Sequence, residues 1–278
     1  MRKITVIGTG YVGLVSGAGI SDFGHHVTCA DIVESKIKLL QEGKIPIYEP
    51  GLDELVDRNV SAGRLSFTTK VDEAIQQADV IFIAVGTPQG ENGEANISAV
   101  EAVARSIGKN LNGYKVICTK STVPIGTGDR VCKLVRETMP EGGEFDYVSN
   151  PEFLREGSAV KDFLWPDRVV IGASSDKAFD ILRDVYRPLY VNEKPMVHTN
   201  VATAEMIKYA ANAFLALKIS YINEVANLCE AVGADVHLVA KAMGRHHGLS
   251  DPPLPFQQTL QQHFVSCGWH VLRLSQHN

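Results

Sequence analysis

The chain has 278 residues, 45% of them hydrophobic and 21% charged, enough apolar material for one large core or two modest ones and too much for a disordered polypeptide. A net charge of -5 argues against a general binder of nucleic acid or of anionic membrane and favours a small-molecule partner. The five cysteines are odd in number and show no C-x-x-C spacing, which argues against a disulfide framework or a metal site and for a reducing, cytoplasmic compartment.

Strand-like runs rich in valine and isoleucine begin at once. Residues 4–7, 26–30, 80–85, 116–119, 147–149 and 169–171 read as strands, with helix-length segments between most of them. Apolar strands alternating with amphipathic helices predict a parallel sheet covered on both faces. The expected fold is therefore a doubly wound α/β domain over residues 1–200.

Between the first two strands, "GTGYVGL" sets Gly8, Gly10 and Gly13 in G-x-G-x-x-G spacing, directly after a strand and at the start of a helix. The first glycine permits a tight turn, the second lets backbone approach a pyrophosphate, and the third allows close helix–strand packing. The second strand ends at Asp31, placed to accept hydrogen bonds from ribose hydroxyls. That carboxylate would repel a 2′-phosphate and favour NAD over NADP, although Lys36 nearby leaves the preference open.

Ligands of open α/β sheets sit outside the carboxyl ends of the strands. After residues 80–85 comes "GTPQGENG", in which Gly86, Thr87 and Pro88 reach the ligand edge. After residues 116–119 comes "KSTVPIGTG", with the hydroxyls of Ser121 and Thr122. Each pattern alone also fits an ordinary turn. After residues 147–149, "NPEFLREGSA" reads as a helix start, with Asn150 as N-cap, Pro151 in the first turn and Glu152 facing the helix dipole. A helical turn there would set Glu152 and Glu156 on one face, an arrangement suited to proton transfer or to sugar hydroxyls.

Residues 201–232 run without glycine or proline and keep a helical apolar stripe, predicting one long helix suited to a connector or a subunit interface. Lys208 and Asn212, at i and i+4, project together from it. They read either as solvated side chains or as an ammonium–amide pair that binds an oxygen and stabilises negative charge.

In this order, "GTGYVGL", "YEPGLDELV", "AVGTP", "KSTVPIGT", "NPEFLREGSA" and "KYAANAFLALKISYINEVANLCE" resemble the UDP-glucose 6-dehydrogenase family within the UDP-glucose/GDP-mannose dehydrogenase group, over about residues 1–245. The resemblance implies NAD-dependent oxidation of the C6 alcohol of UDP-glucose to a carboxylate. GDP-mannose or UDP-N-acetylmannosamine is the alternative substrate, and a non-catalytic NAD-binding fragment the alternative function. It implies a cofactor shell of Gly8, Gly10, Tyr11, Val12, Gly13, Asp31, Lys36, Gly86, Thr87, Pro88, Ser121, Thr122 and Glu156. It implies sugar contacts from Glu152, Phe153, Leu154, Glu156, Lys208 and Asn212, with Thr122, Glu152, Glu156, Lys208 and Asn212 in the chemistry. A homodimer through the long helix and a second nucleotide-binding domain for the uridine diphosphate complete the family's plan, and the 278 residues leave that second domain out.

The organisation expected is a cofactor domain over 1–200, the long helix and start of a central region over 201–245, and a divergent, poorly ordered tail over 246–278. The family's catalytic cysteine lies in a G-x-G-G-S-C-F-P-K-D loop. The tail offers "VSCGW" instead, so Cys267 reads as a bystander rather than a working thiol.

Overall fold

A computed structural model describes residues 1–91 and 93–244. In chain order the elements are β1 (Lys3–Ile7), α1 (Tyr11–Asp22), β2 (His26–Ala30), α2 (Glu34–Gln41), α3 (Leu52–Ser61), β3 (Leu65–Thr68), α4 (Val71–Gln77), β4 (Val80–Ile83), α5 (Ser98–Lys109), β5 (Lys115–Thr119), α6 (Thr127–Thr138), β6 (Phe145–Ser149), α7 (Ala159–Leu164), β7 (Val169–Ala173), α8 (Asp176–Val185), α9 (Arg187–Val191), β8 (Met196–Thr199), α10 (Val201–Val232) and α11 (Val236–Met243). Packing divides the chain into a unit of Met1–Ala211 and a second that begins at Asn212, so the boundary falls inside α10.

The first unit is built on one sheet of order β3-β2-β1-β4-β5-β6-β7-β8. Strands β1 to β6 are parallel, whereas β7 pairs antiparallel with β6 and β8 pairs parallel with β7. The expected doubly wound, mainly parallel sheet is present, and β7 and β8 at one edge run against the other six strands. Two strands the sequence did not announce, β3 and β8, have four residues each. Along β3 burial alternates with exposure, and β8 stays partly exposed throughout, so neither carries the apolar run of a central strand.

The central strands are apolar on both faces, and their period of two sorts them into two cores. Ile4, Val6, Val80, Phe82, Val116 and Cys118 pack on one side with Leu14 and Val15 of α1. Ile7, Ile81, Ile83 and Ile117 pack on the other with Ile107 of α5 and Val131 of α6. Strand order reverses between β1 and β4, because β2 and β3 lie to one side of β1 and β4, β5 and β6 to the other. That reversal opens a crevice at the carboxyl ends of β1 and β4.

In the second unit, Asp235 caps α11 by accepting from the N–H groups of His237 and Leu238. The α10 residues Phe214, Leu217, Tyr221 and Leu228 are exposed along this stretch.

Candidate functional site

A cleft of about 870 Å³ lies at the crevice between β1 and β4. Gly8, Gly10, Asp31, Lys36 and Gly86 line it, as the sequence pattern anticipates. The three glycines have separable reasons. Gly8 adopts φ +104°, and a Cβ there would stand 2.6 Å from the Ala84 carbonyl oxygen, so neither the turn nor the approach to β4 admits a side chain. A Cβ on Gly13 would collide with the Gly8 carbonyl. A Cβ on Gly10 would meet nothing within 4 Å, so this glycine faces open space in front of α1, whose first turn has no side-chain cap. Uncapped N–H groups at a helix start, with room ahead of them, form an anion cradle.

Asp31 closes one wall. Its Oδ2 accepts from the Thr9 N–H and hydroxyl, each at 2.8 Å, and its Oδ1 accepts from the Val33 N–H at 3.0 Å. Burial works against the charge, but these donors, with Lys36 beyond them, outweigh it and hold the carboxyl below its usual range. Asp31 thus stays ionised with lone pairs to spare for hydroxyl donors. Backbone cradle, open space and ionised carboxylate together fit a dinucleotide.

The lining contributed by the segment after β3 was not anticipated. Thr69, Lys70, Asp72 and Glu73 line the cleft after β3, as does Ser106 of α5. Lys70 bonds Glu73 at 3.2 Å, and Asp72 accepts from Ser106 at 2.7 Å. The only sequence signal for this lining was the alternation Leu65, Phe67 in "RLSFTT".

Tyr11 and Val12 occupy the first turn of α1 and pack against the core. Burial first, then the Glu49 carboxylate, keeps the Tyr11 phenol protonated far above its ordinary range. Beyond β4, the Thr87 hydroxyl donates to the Thr122 carbonyl at 2.8 Å, latching the loops after β4 and β5 together, while Pro88 stays exposed. The buried Ser121 hydroxyl donates to the Val85 carbonyl at 2.7 Å, so it joins loops rather than facing a ligand. The half-buried Thr122 hydroxyl makes no hydrogen bond among the described residues.

The segment after β6 departs most from expectation. Residues 151–155 are not helical, and the next helix starts at Ala159, so Asn150 caps nothing. Instead it is buried, donates to the Val170 carbonyl at 2.7 Å, and accepts from Lys120 at 3.1 Å and from the Tyr186 hydroxyl at 2.6 Å. Nor do Glu152 and Glu156 share a helical face. Glu156 is exposed in a turn. Glu152 is inward, its Oε2 accepting from the Leu154 N–H at 2.6 Å and its Oε1 from Lys208 at 2.8 Å.

Lys208 is 6% exposed, which removes the solvated-lysine alternative. Its ammonium also donates to the Glu152 carbonyl at 2.5 Å and sits 5.2 Å from the Phe153 ring centroid, with the Arg168 guanidinium on Phe153 at 4.0 Å. Asn212 follows one turn later in α10, is exposed, and belongs to the second unit. Two buried carboxylates escaped notice. Glu49 accepts from Gly157 at 2.9 Å and Ala159 at 2.7 Å, fixing the chain beside Glu156. Glu205 accepts from Gly126 at 2.7 Å and Gly128 at 2.8 Å, at the start of α6. Their motif context was visible, but their acceptor role depends on partners 77 to 110 residues away.

Comparison with known proteins agrees with this geometry. Residues 2–190 match the NAD binding domain of the UDP-glucose/GDP-mannose dehydrogenase family, and residues 202–257 its central domain, running past the Arg245 boundary read from motifs. The UDP-glucose 6-dehydrogenase of Rhizobium meliloti (strain 1021) is 56% identical over 245 residues, covering 87% of this chain and 56% of that protein. A solved UDP-glucose dehydrogenase from the hyperthermophilic archaeon Pyrobaculum islandicum superposes with a TM-score of 0.85 at 43% identity, covering 88% of this chain and 57% of the other. A GDP-mannose dehydrogenase from Pseudomonas aeruginosa gives 0.84 at 37% identity, covering 88% and 57%. The chain spans about half the length of these relatives. With its glycine cradle, ionised Asp31 and matched domains, the chain belongs to the UDP-glucose/GDP-mannose dehydrogenase family, and its first unit carries that family's NAD-binding domain.

Proposed function

We propose that the chain binds NAD in the cleft between β1 and β4 and carries the alcohol-oxidising machinery of a UDP-glucose 6-dehydrogenase. The observation that supports this is the buried Lys208–Glu152 pair at the carboxyl edge of the sheet, next to loops that also present Thr122. Buried ions tolerate few partners, so a ligand oxygen entering here meets both a strong donor and a strong acceptor.

When bound, NAD supplies the hydride acceptor for the C6 carbon of the sugar. Lys208 turns its ammonium from Glu152 to the C6 oxygen and stabilises the negative charge that grows there. Glu152 takes the hydroxyl proton, leaving a C6 aldehyde. The Thr87–Thr122 bond ties the loops after β4 and β5 together, and Glu49 fixes the turn that carries Glu156. The second oxidation needs a thiol, and no residue of this chain is assigned to it: Cys267 lacks the G-x-G-G-S-C-F-P-K-D surroundings and lies outside the described residues.

UDP-glucose is preferred over GDP-mannose because the chain's identity to the Rhizobium UDP-glucose enzyme, 56%, exceeds its identity to the Pseudomonas GDP-mannose enzyme, 37%. The exposed Phe214, Leu217, Tyr221 and Leu228 of α10 support a homodimer through that helix. No helix among the described residues is long and apolar enough to cross a membrane, and a cytoplasmic location accords with the cysteine usage. The test is NADH formation from NAD with UDP-glucose, GDP-mannose and UDP-N-acetylmannosamine in parallel. Formation with UDP-glucose that disappears in Lys208→Met supports the reading. Saturable NAD binding with no NADH from any of the sugars reduces the chain to a cofactor-binding unit.

A further inference from the structure

Lys120 follows β5 directly and is 4% exposed, a buried ammonium for which neither the cofactor cleft nor the proposed oxidation has a use. Among the described residues no carboxylate forms an ion pair with it. Its partners are neutral: the Asn150 Oδ1 at 3.1 Å and the Tyr186 hydroxyl at 3.2 Å, with the Phe163 and Tyr186 ring centroids at 5.8 and 5.7 Å. The Tyr186 hydroxyl donates in turn to the same Asn150 oxygen at 2.6 Å, and the Asn150 amide donates to Val170 of β7. A cation without a counter-ion is costly in such a place, and a hydrocarbon of equal length would fill the space more cheaply.

What the ammonium touches gives the reason. In the segment that leaves β5 it is followed by Ser121 and Thr122. Through Asn150 it holds the residue two positions before Glu152, on the neighbouring strand exit, where the Asn150 N–H also bonds the Thr119 carbonyl at 2.9 Å. We propose that Lys120 is a positioning residue, whose buried ammonium registers the Glu152-bearing segment against the Thr122-bearing segment by way of Asn150 and Tyr186. This rests on reading Glu152 and Lys208 as the sugar end of the site.

The groups around it are few. Glu152 and Lys208 are the charges within its reach, one favouring the ammonium and one opposing it. Cys118 on β5 and the Tyr186 phenol are both kept protonated by burial. Burial pushes the Lys120 ammonium down to about 8, so it is charged at neutral pH and loses its proton in mildly alkaline solution.

The test uses the whole chain with isotope-labelled lysine side chains, read by NMR across pH, beside Lys120→Met. The wild type is expected to show one lysine signal titrating near pH 8 that is missing from Lys120→Met. In that variant the Lys208 signal shifts, and NADH formation from UDP-glucose falls about tenfold while the apparent KM for NAD stays within about twofold. A Lys208 signal and a rate that both survive Lys120→Met overturn the proposal, as does a Lys120 signal with ordinary lysine titration. Should Lys120→Met fail to fold, Tyr186→Phe removes one acceptor of the ammonium. It is then expected to move the Lys120 titration to lower pH and to displace the Lys208 signal, and no change in either overturns the proposal. The lysine signals need no turnover: a wild type that shows them but oxidises no sugar sinks the proposed function and leaves the Lys120 network supported.

Discussion

Glu205 and Lys208 stand one turn apart on α10 and bind the exits of two neighbouring strands with opposite charges. The Glu205 carboxylate accepts the N–H groups of Gly126 and Gly128 after β5, and the Lys208 ammonium donates to Glu152 after β6. One helical turn thereby fixes both candidate catalytic loops to the helix that carries the lysine. Glu205→Ala leaves two backbone donors without acceptors, each costing about 1–3 kcal/mol where water cannot replace the bond. Urea unfolding should show a loss of about 2–4 kcal/mol, and a loss under about 0.5 kcal/mol would remove Glu205 from this role.

The glycines make a prediction with two opposite halves. Gly10→Ala places a methyl in empty space at φ -75°, so its melting temperature should match the wild type while its NADH affinity drops by about tenfold or more. Gly13→Ala drives a methyl onto the Gly8 carbonyl and should lower the melting temperature outright. Thermal melts beside NADH fluorescence titrations separate the two effects.

Much of this was legible in the sequence because it is local. Gly8, Gly10, Gly13 and Asp31 lie on one strand–turn–helix–strand unit, and the spacing alone sets their geometry. The central strands were visible because Val, Ile and Phe face both cores. What stayed hidden depends on distant partners. "NPE" satisfies the local chemistry of a helix start, yet Asn150 is consumed by Lys120, Val170 and Tyr186, 20 to 36 residues away. Glu152 and Glu156 have helical spacing, but Lys208 draws the first inward from 56 residues away and leaves the second in an exposed turn. β3 and β8 were too short, and too polar on one face, to stand out.

Asp31 should set the cofactor preference. Asp31→Asn keeps the size but turns an acceptor-only group into one that also donates, losing charge-assisted bonds worth about 1.5–3 kcal/mol each. NADH affinity should fall by about tenfold or more and the preference over NADPH should shrink; equal titration curves for wild type and variant would count against the ribose assignment.

Stability should respond to pH through Lys120. Its proton is held less tightly in the folded chain, at about 8, than in the unfolded chain at 10.5. The unfolded state therefore binds more protons between those values, and stability rises with pH across that window. Below about 8 both states are protonated and the full burial penalty remains. Urea midpoints of the wild type should climb from pH 8 toward pH 9.5 more steeply than those of Lys120→Met, which lacks the titrating group. Parallel curves would place the charge elsewhere.

The central claim is that the crevice between β1 and β4 is a working NAD site, and calorimetric titration of NAD into the whole chain and into Gly10→Ala tests it most directly. The account predicts saturable one-to-one binding to the wild type and at least about tenfold weaker binding to a folded Gly10→Ala. Absence of binding to the wild type, or equal binding to both, would contradict it.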